Sequence, residues 1–153
     1  MDIYEKQPTV TDDEIIRIKQ WLKSKGYPQK GYLRIRDTAS VSGYGTYDLR
    51  TMIPVTGIKD GYWVSFQVNK AVNVRRDYTS AEYDRYVYEC IARTGSAPYL
   101  GSYGNAEISF RAKDEETAIR MATDYNQKSI WNIRRKREKK NPRYNYEHNP
   151  TEE

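Results

Sequence analysis

The stretch that decides the fold is Glu107-Ile-Ser-Phe-Arg-Ala-Lys-Asp-Glu-Glu-Thr-Ala-Ile-Arg-Met-Ala-Thr-Asp-Tyr-Asn-Gln-Lys-Ser-Ile-Trp-Asn-Ile133. Ile108, Phe110 and Ala112 alternate with Glu107, Ser109 and Arg111, the period of a half-buried strand. Asp114 then stands where an N-cap accepts free backbone amides, and Ala118, Met121, Ala122 and Tyr125 follow at helical spacing. Ile130 to Ile133 reads as a further strand. Strand, helix and strand in succession predict a crossover long enough to return the second strand parallel to the first in the same sheet.

Upstream, two capping boxes mark helix starts. In Thr11-Asp-Asp-Glu14 and Thr79-Ser-Ala-Glu82, the Thr hydroxyl and the Glu carboxylate each satisfy a backbone amide of the other residue. Ile15, Ile18, Trp21 and Leu22 carry the first helix to Gly26; Tyr83, Tyr86, Val87, Cys90 and Ile91 form the apolar stripe of the second. Between them, Leu33 and Ile35 alternate with Tyr32, Arg34 and Arg36 as a short strand, and residues 39 to 45 read as a loop. Residues 47 to 55 and 62 to 68 read as two strands around a hairpin-like turn at Lys59-Asp60-Gly61, with Pro54 placing the first near an edge. The expected fold is therefore α+β: a single small domain with a mainly antiparallel sheet, three helices and a basic C-terminal arm. Its expected extent is residues 1–133, with 134–153 as a solvated arm rich in charge and carrying Pro142 and Pro150.

At 153 residues the chain can bury one sizeable core, and no repeat or interior linker argues for two domains. Fifteen Tyr and three Trp predict an aromatic-rich core whose polar tips reach its edge. One Cys and one His exclude an intramolecular disulfide and a typical Cys/His zinc site. The N-terminus lacks the basic and apolar regions of a secretory signal, and nowhere do about eighteen apolar residues run together. The expectation is a cytoplasmic protein of a bacterial host cell with no membrane partner.

Catalytic signatures are sparse. Gly43-Tyr-Gly45 and Gly101-Ser-Tyr-Gly104 fit neither phosphate-loop pattern and read as loops. The acidic triplets Asp12, Asp13, Glu14 and Asp114, Glu115, Glu116 both open predicted helices, where acids complement the macrodipole and cap amides. Cys90 lies on an apolar helical stripe, the setting of a buried small hydrophobe rather than a nucleophile. No catalytic residue, metal ligand or cofactor is assigned, and the chain is expected not to be an enzyme.

Charge carries the functional signal. Residues 128 to 144 hold Lys128, Arg134, Arg135, Lys136, Arg137, Lys139, Lys140 and Arg143 against Glu138, a formal +7, whereas the remaining 18 basic and 20 acidic residues sum to −2. Clustered cations displace counterions from a phosphate backbone, and interleaved Trp131, Tyr144 and Tyr146 offer rings for bases. Arg75 and Arg76, with Lys70, could extend the patch; Arg34, Arg36 and Arg50 are weaker candidates. Such a run also occurs as a solubilising tail. The partners expected are RNA or DNA, or a nucleoprotein nuclease complex.

The stretch from Tyr99 to Ile119 and from Tyr125 to Ile133 resembles segments of small phage and plasmid accessory proteins of the host-defence-inhibitor, anti-CRISPR-like type. That resemblance implies a non-enzymatic binding protein of a phage or mobile element, which blocks a CRISPR-Cas or other defence nuclease at its nucleic-acid groove or guide RNA. The mild charge of the body departs from the strongly acidic DNA mimics. Two other classes stay open: a protein–protein interaction module using a Tyr-rich surface, and a small nuclease.

Overall fold

Helices α1 (Asp12–Ser24), α3 (Ser80–Thr94) and α4 (Glu115–Asp124) begin where their capping residues place them. In the computed structural model, which describes residues 8–41, 43–66, 79–102, 106–125 and 127–144, both capping boxes are closed. Thr11 N–H donates to Glu14 Oε1 at 2.9 Å, and Glu82 N–H to Thr79 Oγ1 at 3.1 Å. The Asp114 carboxylate accepts from Thr117 N–H at 2.8 Å. Gly26 ends α1 at φ +82°, where its N–H and that of Tyr27 bond back to Lys23 and Leu22. That is a Schellman closure, which needs the left-handed conformation glycine adopts without strain.

A fourth helix, α2 (Tyr32–Thr38), occupies the segment expected as a strand. Its N-cap, Gly31, sits at φ +85° and has no side chain to offer. Asp84 of α3 takes that part instead, its two carboxylate oxygens accepting from the N–H groups of Gly31 and Tyr32, each at 3.0 Å. Tyr32 is fully buried, and Ile35 and Arg36, one turn on, are half-buried on the same side. Leu33 and Ile35, two residues apart, point to different sides of this short helix, and each is partly buried against the core, which is why they mimic a strand's alternation.

Six strands form one sheet: β1 (Gly45–Asp48), β2 (Tyr62–Phe66), β3 (Tyr99–Ser102), β4 (Ala106–Ala112), β5 (Ser129–Asn132) and β6 (Arg137–Lys140), in the order β1-β3-β4-β2-β5-β6. Every neighbouring pair is antiparallel. Since β2 runs against both β4 and β5, those two point the same way, as the crossover through α4 predicts, with β2 inserted between them.

Three strand expectations change. The run 47 to 55 is a strand that doubles back, because Met52 turns left-handed at φ +58° and Asp48 N–H then meets Ile53 O while Val55 N–H meets Thr46 O. β1 and β2 therefore make no hairpin around Asp60; β1 pairs with β3 at the sheet edge. Gly101-Ser-Tyr-Gly104, expected as a loop, begins inside β3, where Gly101 and Ser102 pair with Glu107 and Ala106 of β4; Tyr103 and Gly104 lie outside the described residues. The basic arm expected from Arg134 is instead hairpin as far as Lys140, because Arg137–Lys140 pairs with β5 and the chain is then clamped by buried Asn141 and Tyr144. Val68 and Lys70 lie outside the described residues.

α3 and α4 lie on the sheet and touch each other, α2 lies against α3 and β4, and α1 packs on α3. The covered sheet face presents Leu100, Ile108, Phe110, Ala112, Val64 and Ile130, all buried. The expected aromatic core is present. Tyr32, Tyr83 and Tyr86 are among the largest fully buried side chains, and Tyr27, Tyr47, Tyr88 and Tyr125 join them. Two of their polar ends find backbone: Tyr32 Oη donates to Pro28 O and Tyr88 Oη to Gln29 O, each at 2.5 Å. No helix among the described residues is long and apolar enough to cross a membrane.

Candidate nucleic-acid interface

β5 and β6 join through residues 133 to 136, a turn that local groups hold. Arg135 N–H donates to Asn132 Oδ1 at 3.0 Å, Lys136 takes the left-handed conformation at φ +52°, and Ile133 N–H reaches Gly61 O at 3.0 Å. At the other end, Asn141 is a buried clamp: its N–H donates to Lys128 O at 2.9 Å, its side-chain amide to Gln127 O at 3.0 Å, and its Oδ1 accepts Arg143 N–H at 3.0 Å. A cationic segment is thereby held as ordered strand and turn rather than as a solvated tail.

Register sorts the side chains. Ile130 stands opposite Lys139 and Asn132 opposite Arg137, whereas Trp131 stands opposite Glu138 and Ser129 opposite Lys140. Residues directly across an antiparallel pair share a face. Ile130 is buried, so Arg137 and Lys139 lean toward the helix-covered side, where Lys139 pairs with Glu115 of α4. Trp131, Glu138 and Lys140 lie on the opposite face, on which no described helix packs. Lys128, Arg134, Arg135, Lys136, Arg137, Lys139, Lys140 and Arg143 are all exposed. Arg134 reaches Asp60 at 3.9 Å, and Arg111 holds the same carboxylate at 2.5 Å.

Trp131 is 36% exposed and is paired across the strands with Trp63, which is buried and meets Tyr99 edge to face at 4.9 Å. Tyr144, expected to stack on a base, is buried at 8% exposure, because its N–H closes a turn onto Asn141 O and carries the ring inward. It is withdrawn from the candidate surface. Tyr146, Arg75 and Arg76 lie outside the described residues. The structure adds Arg111, on the same face as Trp131 and Trp63, which its setting in a strand of mixed polarity did not single out.

The face of Trp131 and Trp63 also holds a polar group that sequence reading missed. Ser65 Oγ donates to Glu107 and lies 3.1 Å from Ser109 Oγ. Burial holds the half-buried Glu107 carboxyl above its ordinary range, with the Ser65 hydrogen bond opposing it. The three residues are separated in sequence and meet only through the β2–β4 register. Among the described residues no three His, Cys, Asp or Glu side chains converge as a metal site would require.

Each acidic triplet supplies a capping carboxylate to the helix it opens, Glu14 to α1 and Asp114 to α4. Amide hydrogen bonds within the caps hold the carboxyls of Glu14 and Asp114 below their ordinary range. Cys90 is fully buried, and burial pushes its thiol up to about 12, the reverse of an activated nucleophile. A pocket of about 340 Å³ between α4 and the segment after β6 is lined by Glu115, Glu116, Ile119, Arg120 and Arg143, but Lys139 and Arg120 already engage its two carboxylates. No family model, no curated protein and no solved structure matches the chain.

Proposed function

We propose that the chain is a non-enzymatic binding protein that contacts a nucleic acid, free or within a nucleoprotein complex, through the β5–β6 hairpin. The supporting observation is the ordered cationic turn at 134 to 137 beside an exposed Trp131, on the face of the edge hairpin opposite the one that α4 packs. Arg134, Arg135, Lys136, Arg137, Lys140 and Arg143 supply the electrostatics; Trp131 supplies the ring. With the resemblance to phage and plasmid accessory proteins, the reading extends to an inhibitor that occupies the nucleic-acid groove of a host defence nuclease.

Deleting residues 134 to 153 would remove β6 and the Asn141 clamp, so substitution of exposed charges is the cleaner test. The variant R134Q/R135Q/K136N/R137Q removes four cations, with Asn chosen at 136 because it tolerates the left-handed conformation. It should bind a polyanion more weakly, with the slope of log affinity against log salt reduced by roughly 0.7 to 0.9 for each phosphate that the variant no longer neutralises. Unchanged affinity and slope would refute the reading.

A second reading, a protein–protein module, rests on the opposite end of the sheet. There Tyr44, Ile53 and Met52 are exposed at 82%, 61% and 38%. The tyrosines expected to supply a broad contact surface are mostly interior, so this module would use only that tip. The substitution pair Tyr44→Ser and Ile53→Ser should abolish capture of a protein partner if this reading holds, and leave it intact if the hairpin makes the contact.

A further inference from the structure

Resting on the nucleic-acid reading above, we infer that the ligand is single-stranded and that one of its bases stacks on the exposed face of Trp131.

A base can lie on a side-chain ring only when it has left its own stack, which costs a duplex several kcal/mol and a flexible strand far less. Trp131 is prepared for such a contact. Its strand is paired to β2, its cross-strand neighbour Trp63 is buried, and the ring itself keeps 36% of its surface in water. Most buriable rings among the described residues have gone into the core; this one has not.

The charges around the ring divide the surface. Glu138 lies directly across from Trp131, so a phosphate is repelled beside the ring, while a neutral base is not. Three to five residues further along, Arg134, Arg135 and Lys136 crowd the turn, so that the Cα of Arg134 stands at most about 10 Å from that of Trp131. Lys140 flanks the ring diagonally on the other side. Base over tryptophan and flanking phosphates on the cations is the pattern of a surface that tracks one strand.

The fold argues against a duplex by the same geometry. Groove reading needs an α-helix or a two-stranded ribbon that projects with both faces available. The hairpin is anchored on one side to β2 and packed on one face by α4, and α4 carries acids rather than cations in its first turn. What remains exposed is a turn and one sheet face.

The test compares a labelled single-stranded oligonucleotide with the duplex of the same sequence by fluorescence anisotropy, using the full chain, W131A and W131F. The expected result is tighter binding of the single strand. W131A should lose between about 5-fold and about 100-fold of that affinity and none for the duplex, with W131F retaining most of it. Because Trp131 lies at the surface, circular dichroism of both variants should match the parent. Duplex binding as tight as the single strand, or equal losses on both ligands in W131A, would overturn the inference while leaving the cationic interface standing. Binding of neither would overturn both.

Discussion

At the level of single residues, Asp84 shows how one side chain determines an element remote from it. It sits on α3, is buried, and caps α2 through two amide hydrogen bonds. Removing it leaves two N–H groups without that acceptor, so Asp84→Ala should destabilise the protein by about 2 kcal/mol in urea unfolding, with Asp84→Asn intermediate because one oxygen remains. A change smaller than a few tenths would mean that α2 does not depend on this cap. Glu107 acts in the other direction. Its carboxyl is held above its ordinary range by burial, so as pH rises the unfolded chain ionises before the folded one. The resulting stabilisation is complete below the ordinary pKa and is lost as pH climbs through the raised one. Glu107→Gln removes the ionisation at nearly constant shape. Its Tm relative to the parent should therefore rise as pH climbs above the ordinary carboxylate range, and a gap constant with pH would contradict the assignment.

At the level of elements, legibility follows the distance over which each signal acts. α1, α3 and α4 carry their caps within three residues, and all three begin where the sequence predicts. α2 is capped from 52 residues away, so no local pattern announces it. β6 has no apolar alternation because it lies at an edge, with Asn141 N–H on Lys128 O leaving the backbone of Glu138 and Lys140 turned outward. From sequence its lysines look like a tail. Its pairing comes from β5. The candidate site was legible to the same degree: Trp131 and the turn cations are exposed, whereas Tyr144 turns inward for a clamp that only the fold reveals. Gly61 is the element-scale constraint most easily tested. It adopts φ +93°, and a Cβ there would stand 2.8 Å from both Ala112 O and Arg111 Nε. Backbone strain and overlap with the β4 end should make Gly61→Ala cost ~2 kcal/mol or more, read as a lower urea midpoint at constant m.

Taken as a whole, the molecule is polar in charge, with β1 and an apolar tip at one sheet edge and β6 with its cations at the other. Lysines on an edge strand also discourage that edge from pairing with another chain. The two roles separate in the charge-neutralised variant, which retains Lys139 and Lys140. It should remain monomeric by light scattering at the concentration where the parent is monomeric, while losing polyanion affinity. Self-association of the variant would assign the cations of 134 to 137 to edge protection instead.

The order β4-β2-β5 has a consequence for how the chain reaches this structure. β2 leaves the ribosome early, yet both strands that flank it are made later, and its partner residues Phe110 and Trp131 stand 46 and 68 positions from Val64 and Trp63. Until then its two edges have no occupant, and the nascent chain must hold an apolar strand in reserve. Long-range pairing of this kind places the rate-limiting step late and makes it slow, in the millisecond-to-second range. The interval before β5 arrives is when the newly made protein is most exposed to mispairing.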